Sequence, residues 1–383
     1  MDRRQYLKLS AATAFTPLSA AAGTSGIAAP DAVREINMAY DGRFLSPGEH
    51  VAALARIVEE RDIQPDFYGV GGAVTQLEEV FATLSGKEAG LYLPSGTLAN
   101  QLAIKVLSGN KSKVLVQDDS HIYRDEADAA QLVHNKRLVS MTPGGQRLGH
   151  SDLLDAIDHY RGNEVFETGI GAISVENPVR RRLEETVDFG ELEKISAFAR
   201  EQKIGLHLDG ARLFMASQWT GNSIEAYSTL FDTVYFSLYK YLGARAGAVL
   251  TGDAAVIDEV KFWMKPLGGV AFQSWPDAAI ALDSLDGIEQ RLGDVREQSE
   301  TLLSGIGQLP GLRIERIPHG CHAAKLYVDA VDAGEFTTRL YDRHNILLRD
   351  PTRDGFIMLK MNETLLGVSP ASIYEAFTDA LQT

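Results

Sequence analysis

Lys240 is the residue of this sequence whose position most suggests chemistry. It stands at the end of an apolar run and leads directly into a glycine-rich turn, in the stretch FSLYKYLGARAGAVLTG. A lysine flanked in this way can be partly desolvated, and desolvation lowers its pKa toward the neutral, nucleophilic amine. The same pattern also fits an ordinary lysine at a strand end with its ammonium in water.

A possible anion site precedes it in the chain. The stretch LYLPSGTLAN places Ser95, Gly96 and Thr97 between a predicted strand and the start of a predicted helix. Free backbone amides and the helix dipole favour an anion at such a position. Taken alone, the segment equally fits an ordinary helix cap.

Two further strand ends carry polar side chains. His121 follows a predicted strand in VQDDSHIYRDE, and LHLDGARLF ends a strand with Asp209, followed three residues later by Arg212. Separately, these are a loop histidine and a simple ion pair. Together with Lys240 they provide an imidazole, an acid, a guanidinium and an amine.

The elements between these residues alternate in type. Short apolar strands separated by amphipathic helices predict right-handed crossovers and a mostly parallel sheet. Ligands of such sheets bind at the carboxyl ends of the strands, where all four polar segments fall. Near Lys265 to Gly269 the pattern changes to a long helix (WPDAAIALDSLDGIEQRLGDVREQSETLLSGIGQL), further strands and further helices, which predicts a smaller α+β unit with a boundary at about residues 265–290.

Composition limits the classes of partner. The 383 residues carry a formal net charge of -15, which argues against nucleic acid and anionic membranes as partners. The single cysteine, Cys321, cannot form an internal disulfide, and we expect no metal site because no Cys/His cluster is present.

The N-terminus reads as a targeting segment. MDRRQYLKLSAATAFTPLSAAAGTSGIAAP resembles a twin-arginine signal, with Tyr6 in the place of the usual Phe, and its apolar run is too short and polar for a permanent membrane anchor. We expect a periplasmic or secreted protein. A plain N-terminal tail is the alternative.

Several motifs together resemble the threonine aldolase and aromatic amino acid β-eliminating lyase family, whose members use pyridoxal 5'-phosphate on an aspartate-aminotransferase-type fold. The matching stretches lie between about residues 62 and 270, and are DFYGVGGAVTQLEE, GKEAGLYLPSGTLANQLAI, DDSHIY, HLDGAR followed by a lysine about thirty residues on, and KPLGG. The resemblance implies a fold-type-I α/β protein with a large domain, containing a mostly parallel seven-stranded sheet, and a smaller C-terminal α+β domain. The predicted divisions are residues 1–30 (signal and linker), 31–270 (cofactor-binding domain) and 271–383 (C-terminal domain).

The resemblance also assigns roles. Lys240 would form the Schiff base with the cofactor aldehyde, and Asp209 would pair with the pyridine nitrogen. Arg212 would contact the ring 3'-oxygen or the substrate carboxylate, and His121 would stack on the ring and carry a proton.

For the phosphate, the resemblance implies a cradle formed by Ser95, Gly96 and Thr97. Lys265 of a neighbouring subunit would assist them, which implies a homodimer or homotetramer.

The function that the resemblance implies is cleavage of the Cα–Cβ bond of a β-hydroxy-α-amino acid, which gives glycine and an aldehyde. The alternative enzyme is a β-eliminating lyase acting on another β-substituted amino acid. A third hypothesis is a non-catalytic periplasmic protein that binds a cofactor or an amino acid.

The positions that bind the substrate in family members carry different residues here. Ala39 and Tyr40 replace an Arg-Ser pair, and Met358 and Phe272 replace two arginines; Lys360, Arg349 or Arg353 could substitute for the lost carboxylate clamp. Arg245 stands where aldolases usually have proline. The gain in apolar surface predicts a preference for an aryl substrate, such as phenylserine, over threonine.

Overall fold

The structure is a computed structural model that describes residues 35–382, so the predicted signal segment lies outside the described residues. Within that range the strands are β1 (Ile36–Asn37), β2 (Ala89–Leu93), β3 (Lys113–Val116), β4 (Arg137–Ser140), β5 (Ile170–Glu176), β6 (Gly205–Asp209), β7 (Thr233–Ser237), β8 (Ala248–Gly252), β9 (Leu312–Arg316), β10 (Ala323–Val328), β11 (Ile346–Leu347) and β12 (Ile357–Lys360).

The α-helices of the same range are α1 (Pro47–Glu60), α2 (Gly72–Ser85), α3 (Gly96–Ser108), α4 (His121–Arg124), α5 (Ala129–His134), α6 (His150–Gly162), α7 (Phe189–Gln202), α8 (Leu213–Thr220), α9 (Ile224–Ser228), α10 (Leu238–Tyr241), α11 (Ala254–Met264), α12 (Trp275–Leu285), α13 (Ile288–Ile306), α14 (Ala333–His344) and α15 (Pro370–Ala380). Among these described helices, none combines the length and the apolar character needed to cross a membrane.

One sheet organises the larger part of the protein. It has seven strands in the order β2-β8-β7-β6-β5-β3-β4. The pairs from β7 to β4 are parallel, whereas β8 runs antiparallel to both β2 and β7. β5 and β7 are buried along their whole length, as expected where helices cover both faces of a sheet. This architecture confirms the predicted α/β fold with a mostly parallel seven-stranded sheet.

The C-terminal part has a sheet of its own, in the antiparallel order β12-β10-β9. β1 pairs in parallel with β11, so Ile36 and Met38 belong to the apolar core of this part. α12 instead packs into the core of the large sheet through residues such as Ile280. The division between residues 270 and 271 stays a prediction.

The predicted long helix beginning at Trp275 is interrupted. α12 ends at Leu285 and α13 begins at Ile288, because Gly287 adopts a left-handed conformation with φ of 65°. The pair Asp286-Gly287 is a turn signal that the sequence analysis overlooked, because apolar residues continue on both sides of it.

Candidate active site

One cavity of about 370 Å³ lies where the strands of the large sheet end. It brings together residues that are distant in sequence because the carboxyl ends of parallel strands share one edge of the sheet. The predicted site residues that line it are Ser95, Gly96, Thr97, His121, Asp209, Arg212 and Lys240. Lys265 does not line the cavity of its own chain: it is exposed, with its Nζ 5.0 Å from the centroid of the Tyr68 ring.

The start of α3 forms an anion cradle. Ser95 caps the helix, with its hydroxyl oxygen accepting a hydrogen bond from the amide of Leu98 at 3.2 Å. A Cβ on Gly96 would stand 2.1 Å from the hydroxyl oxygen of Tyr235, so only glycine fits there. Gly96 thus lets the first turn of α3 pack against Tyr235, and the residues of this turn, with their free amides, line the cavity.

Lys240 occupies the short helix α10, immediately after β7. Burial, and next the positive charge of Arg212, lower the pKa of Lys240 to about 8. Among residues 35–382 its Nζ has no ion-pair partner, and it lies 5.2 Å from the centroid of the Tyr239 ring. The amine is therefore available as a nucleophile at mildly alkaline pH.

Asp209 ends β6 as a buried carboxylate with fixed geometry. Its Oδ1 accepts from the amide of Ala211 at 3.1 Å, and its Oδ2 accepts from Nδ2 of Asn100 at 2.9 Å. Only 3% of Asp209 is exposed. An acid held in this way can stabilise a positive charge placed in the cavity.

Asn100, on the buried face of α3, connects Asp209 to the histidine side of the cavity. Its Nδ2 also donates to Oε1 of Glu126 at 2.9 Å, and its Oδ1 lies 3.0 Å from Nε2 of His207. Burial lowers the pKa of His207 to about 4, so this imidazole is neutral and donates to Asn100. The amide orientation of Asn100 is thereby fixed.

His121 begins α4, and its Nδ1 lies 3.0 Å from Oε1 of Glu126. Burial opposes a charged imidazole, but the Glu126 hydrogen bond and the charges of Asp209, Glu126 and Glu176 outweigh it and raise the pKa of His121. The ring therefore has one nitrogen committed to Glu126 and Nε2 left for the cavity. Sequence reasoning missed Glu126 and Asn100; the acid five residues after the histidine was the available signal.

Glu176, at the end of β5, also lines the cavity beside Asp209. Its Oε2 accepts from the amide of His121 at 2.5 Å and its Oε1 from the amide of Arg180 at 2.9 Å. Burial, and next the charge of Asp209, raise the pKa of Glu176 to about 7. Glu176 was not among the site residues predicted from the sequence.

Arg212 lies in a buried ionic cluster. It donates from Nε and Nη2 to the two oxygens of Asp41 at 2.8 and 2.7 Å. Lys360 donates to Asp41 and to Glu184, both at 2.6 Å, and Arg212 Nε is 3.5 Å from Glu184. Despite burial, the two cations hold the pKa of Asp41 well below its usual value and lower that of Glu184 to about 2. The cluster fixes the guanidinium of Arg212 at the cavity wall.

The same cluster contains atoms spaced closely enough for a metal ion, from Asp41, Glu184 and His322. The ammonium of Lys360 already bonds both carboxylates, so an additional cation would meet positive charge there. We therefore assign these acids to Lys360 and Arg212 rather than to a metal.

The three predicted substitutes for the carboxylate clamp do not line the cavity. Lys360 is held within the ionic cluster, Arg349 donates to the carbonyl of Ala39 at 2.6 Å, and Arg353 is exposed. Tyr40, Met358 and Phe272 do not line it either. The predicted preference for an aryl substrate therefore rests on residues outside the cavity of their own chain.

The residues present fit pyridoxal 5'-phosphate. A desolvated amine, a buried carboxylate and a helix N-terminus match its aldehyde, its pyridine nitrogen and its phosphate. The volume lies within the range of small-molecule sites.

The sequence of this chain is similar to those of known proteins. The sequence profile described as Beta-eliminating lyase matches residues 53–325. The low-specificity L-threonine aldolase of Candida albicans is 32% identical over 213 residues, which are 55% of this chain and 56% of that enzyme. That of Saccharomyces cerevisiae is 28% identical over 260 residues, 67% of this chain and 65% of that enzyme, so the chain spans less than two thirds of either relative. Low-specificity L-threonine aldolase 1 of Arabidopsis thaliana is 26% identical over 320 residues, 82% of this chain and 86% of that enzyme.

Solved structures share the fold. A protein from Exiguobacterium sp. 255-15, proposed to be an aromatic amino acid beta-eliminating lyase/threonine aldolase, has a TM-score of 0.76 and 25% identity, covering 91% of this chain and 97% of its own. The threonine aldolase of Leishmania major has a TM-score of 0.70 at 18% identity, covering 91% and 98%. The chain thus belongs to the beta-eliminating lyase family, and the predicted family, fold type I and pyridoxal 5'-phosphate cofactor are confirmed.

Proposed function

We propose that this protein is a pyridoxal-phosphate-dependent lyase that cleaves the Cα–Cβ bond of a β-hydroxy-α-amino acid into glycine and an aldehyde. The observation that carries the proposal is the convergence of Lys240, Asp209, His121 and the Ser95–Thr97 cradle on one cavity. Relatives named low-specificity L-threonine aldolase support the choice of reaction.

Each residue has a distinct task in this reaction. Lys240 would hold the cofactor at its aldehyde, Asp209 would pair with its pyridine nitrogen, and the first amides of α3 would hold its phosphate. When bound, the cofactor supplies an electron sink for the electron pair of the cleaved bond. Arg212 uses Nε and Nη2 for Asp41, which leaves Nη1 to bind the substrate carboxylate.

His121 is the base that this arrangement offers for the β-hydroxyl proton. Its Nδ1 is bonded to Glu126, so Nε2 takes the proton while Glu126 stabilises the resulting imidazolium. A base must be neutral before it acts, and we therefore expect activity to fall as pH falls through the raised pKa of His121.

The second candidate is β-elimination, in which the Cα proton leaves first and a group then departs from Cβ. Glu176 supports β-elimination as a candidate, because a carboxyl group with a pKa of about 7 at the cavity wall can exchange a proton near neutral pH. A protein that only binds its ligand would not need Lys240, Asp209 and His121 together.

Product analysis over a panel of β-substituted amino acids, including threonine and phenylserine, distinguishes these functions. Glycine with an aldehyde supports the proposed aldol cleavage. Pyruvate with ammonia would replace it by β-elimination, and the absence of either product from cofactor-loaded protein would leave only binding.

We infer a homodimer or homotetramer from a surface near Lys265. Phe67, Tyr68, Val70 and Phe272 are each more than half exposed, and the Phe272 ring packs edge-on against those of Phe67 and Tyr68. An apolar patch of this kind is typical of a subunit interface. Sedimentation showing active monomers at assay concentration would contradict this inference.

We also propose export through the twin-arginine route to the periplasm or beyond, which the pair Arg3-Arg4 supports. The predicted signal occupies residues 1–30. Changing both arginines to lysine should leave folded, cofactor-loaded precursor in the cytoplasm. Efficient export of that variant would show that this segment is not a twin-arginine signal.

A further inference from the structure

A second cation at the cavity wall has no role in the reaction described above. Arg245 lines the cavity beside Ala246 and Gly247, and 59% of its side chain is exposed. The other arginine and the lysine that line the cavity have roles in the proposed reaction: Arg212 would bind the substrate carboxylate, and Lys240 would hold the cofactor. Arg245 is therefore the cavity cation free to take a further anion.

The sheet register places Arg245 at the phosphate end of the cavity. Leu93, the last residue of β2, pairs with Ala248, the first residue of β8. Because the two strands are antiparallel, the residues that follow β2 and those that precede β8 run on beside each other. Arg245 and the cradle at Ser95 and Gly96 thus share one wall.

Asp277 fixes the orientation of this guanidinium. Its Oδ1 accepts from the backbone amide and from Nε of Arg245, at 3.1 and 3.2 Å, and its Oδ2 accepts from Nη2 at 3.0 Å. Asp277 itself is 7% exposed and stands in the first turn of α12. This side-on pairing leaves Nη1 of Arg245 available for another acceptor.

The acidic residues that line the cavity would repel a phosphate unless a cation stood beside it. Asp125, Glu176 and Asp209 all line the same space, so a phosphate entering it meets several carboxyl groups. Asp125 is paired with Arg180 and Arg181, whereas the donors to Asp209 among residues 35–382 are neutral. Amides at a helix N-terminus carry a partial positive charge, which does not neutralise a phosphate dianion.

We propose that Arg245 is a binding residue for the cofactor phosphate, supplied by the same chain that supplies Lys240. The proposal rests on the proposed function only in taking pyridoxal 5'-phosphate as the ligand. With Arg245 as a ligand, the phosphate site depends less on a neighbouring subunit than a site that Lys265 of that subunit completes alone.

The test compares two ligands that differ only in the phosphate. Cofactor-free protein is titrated with pyridoxal 5'-phosphate and, separately, with pyridoxal, and binding is followed by the absorbance of the bound ligand. Arg245→Gln should weaken pyridoxal 5'-phosphate at least tenfold and leave pyridoxal unchanged. The matched control is Arg316→Gln on β9, which breaks a similar two-bond pair with Glu300 away from the cavity and should change neither affinity.

If Arg245→Gln does not fold because Asp277 is left alone, the paired variant Arg245→Met with Asp277→Leu removes both charges and should show the same phosphate-specific loss. Equal affinities of wild type and variant for pyridoxal 5'-phosphate would overturn the proposal. An equal loss for both ligands would also overturn it, because that is the result of a purely structural role. Failure of the wild-type protein to bind either ligand would instead count against the proposed function.

Discussion

Lys240 should destabilise the cofactor-free protein, and replacing it with methionine should therefore raise the free energy of unfolding. Burial and the Arg212 charge lower its pKa from 10.5 to about 8. Each unit of difference in pKa corresponds to about 1.36 kcal/mol. The charged Lys240 therefore lowers the free energy of unfolding by roughly 3 kcal/mol at pH 7.

The pH dependence of this penalty has a definite sign. A base whose pKa is lower in the folded protein than in the unfolded chain binds fewer protons when folded. The penalty is therefore fully present below about pH 8 and disappears as pH rises toward 10.5. The stability advantage of Lys240→Met should shrink over that window.

The assay is denaturant unfolding of cofactor-free wild type and Lys240→Met at pH 7 and at pH 10, at one protein concentration. Exposed Lys111→Met serves as the control and should change stability by no more than about 0.5 kcal/mol at either pH. The reasoning is refuted if Lys240→Met is no more stable than wild type at pH 7, or if its advantage is the same at both pH values.

Three further substitutions test the supporting contacts. Glu126→Gln removes the charge that raises the pKa of His121, so the acidic limb of the pH–rate profile should move to lower pH; an unmoved limb would exclude this pairing. Lys360→Met leaves two buried carboxylates with one cation and should cost about 3–5 kcal/mol in denaturant unfolding, and a loss below about 1 kcal/mol would show that the cluster is not coupled. Gly96→Ala should weaken binding of pyridoxal 5'-phosphate because its Cβ meets the Tyr235 hydroxyl, whereas Gly48→Ala, with open space around it, should not; equal affinities would contradict the cradle.

The sequence alone predicted the residues that stand at strand ends. Asp209 and Lys240 are marked by the apolar runs that precede them, and parallel strands bring their carboxyl ends to one edge whatever the lengths of the connections. The glycine-rich segment after Lys240 was read as a turn. The antiparallel strand β8 was missed because its run of Val249, Leu250 and Thr251 is only three residues long, between Ala248 and Gly252.

The residues that hold the site in place could not be predicted. Asp41 bonds Lys360 across 319 positions, and no local pattern relates two residues so far apart. Asn100 reads as one polar residue in an apolar helix, and its role becomes visible only when Asp209 and Glu126 are both seen within 2.9 Å of its amide nitrogen.

Fixation of the cofactor by borohydride tests the central claim most directly. Protein loaded with pyridoxal 5'-phosphate is reduced, digested and mapped by mass spectrometry. We predict one cofactor-derived mass, on the peptide that contains Lys240, and its loss in Lys240→Ala. Folded protein that takes up no cofactor, or a label on another lysine such as exposed Lys261, would contradict the account.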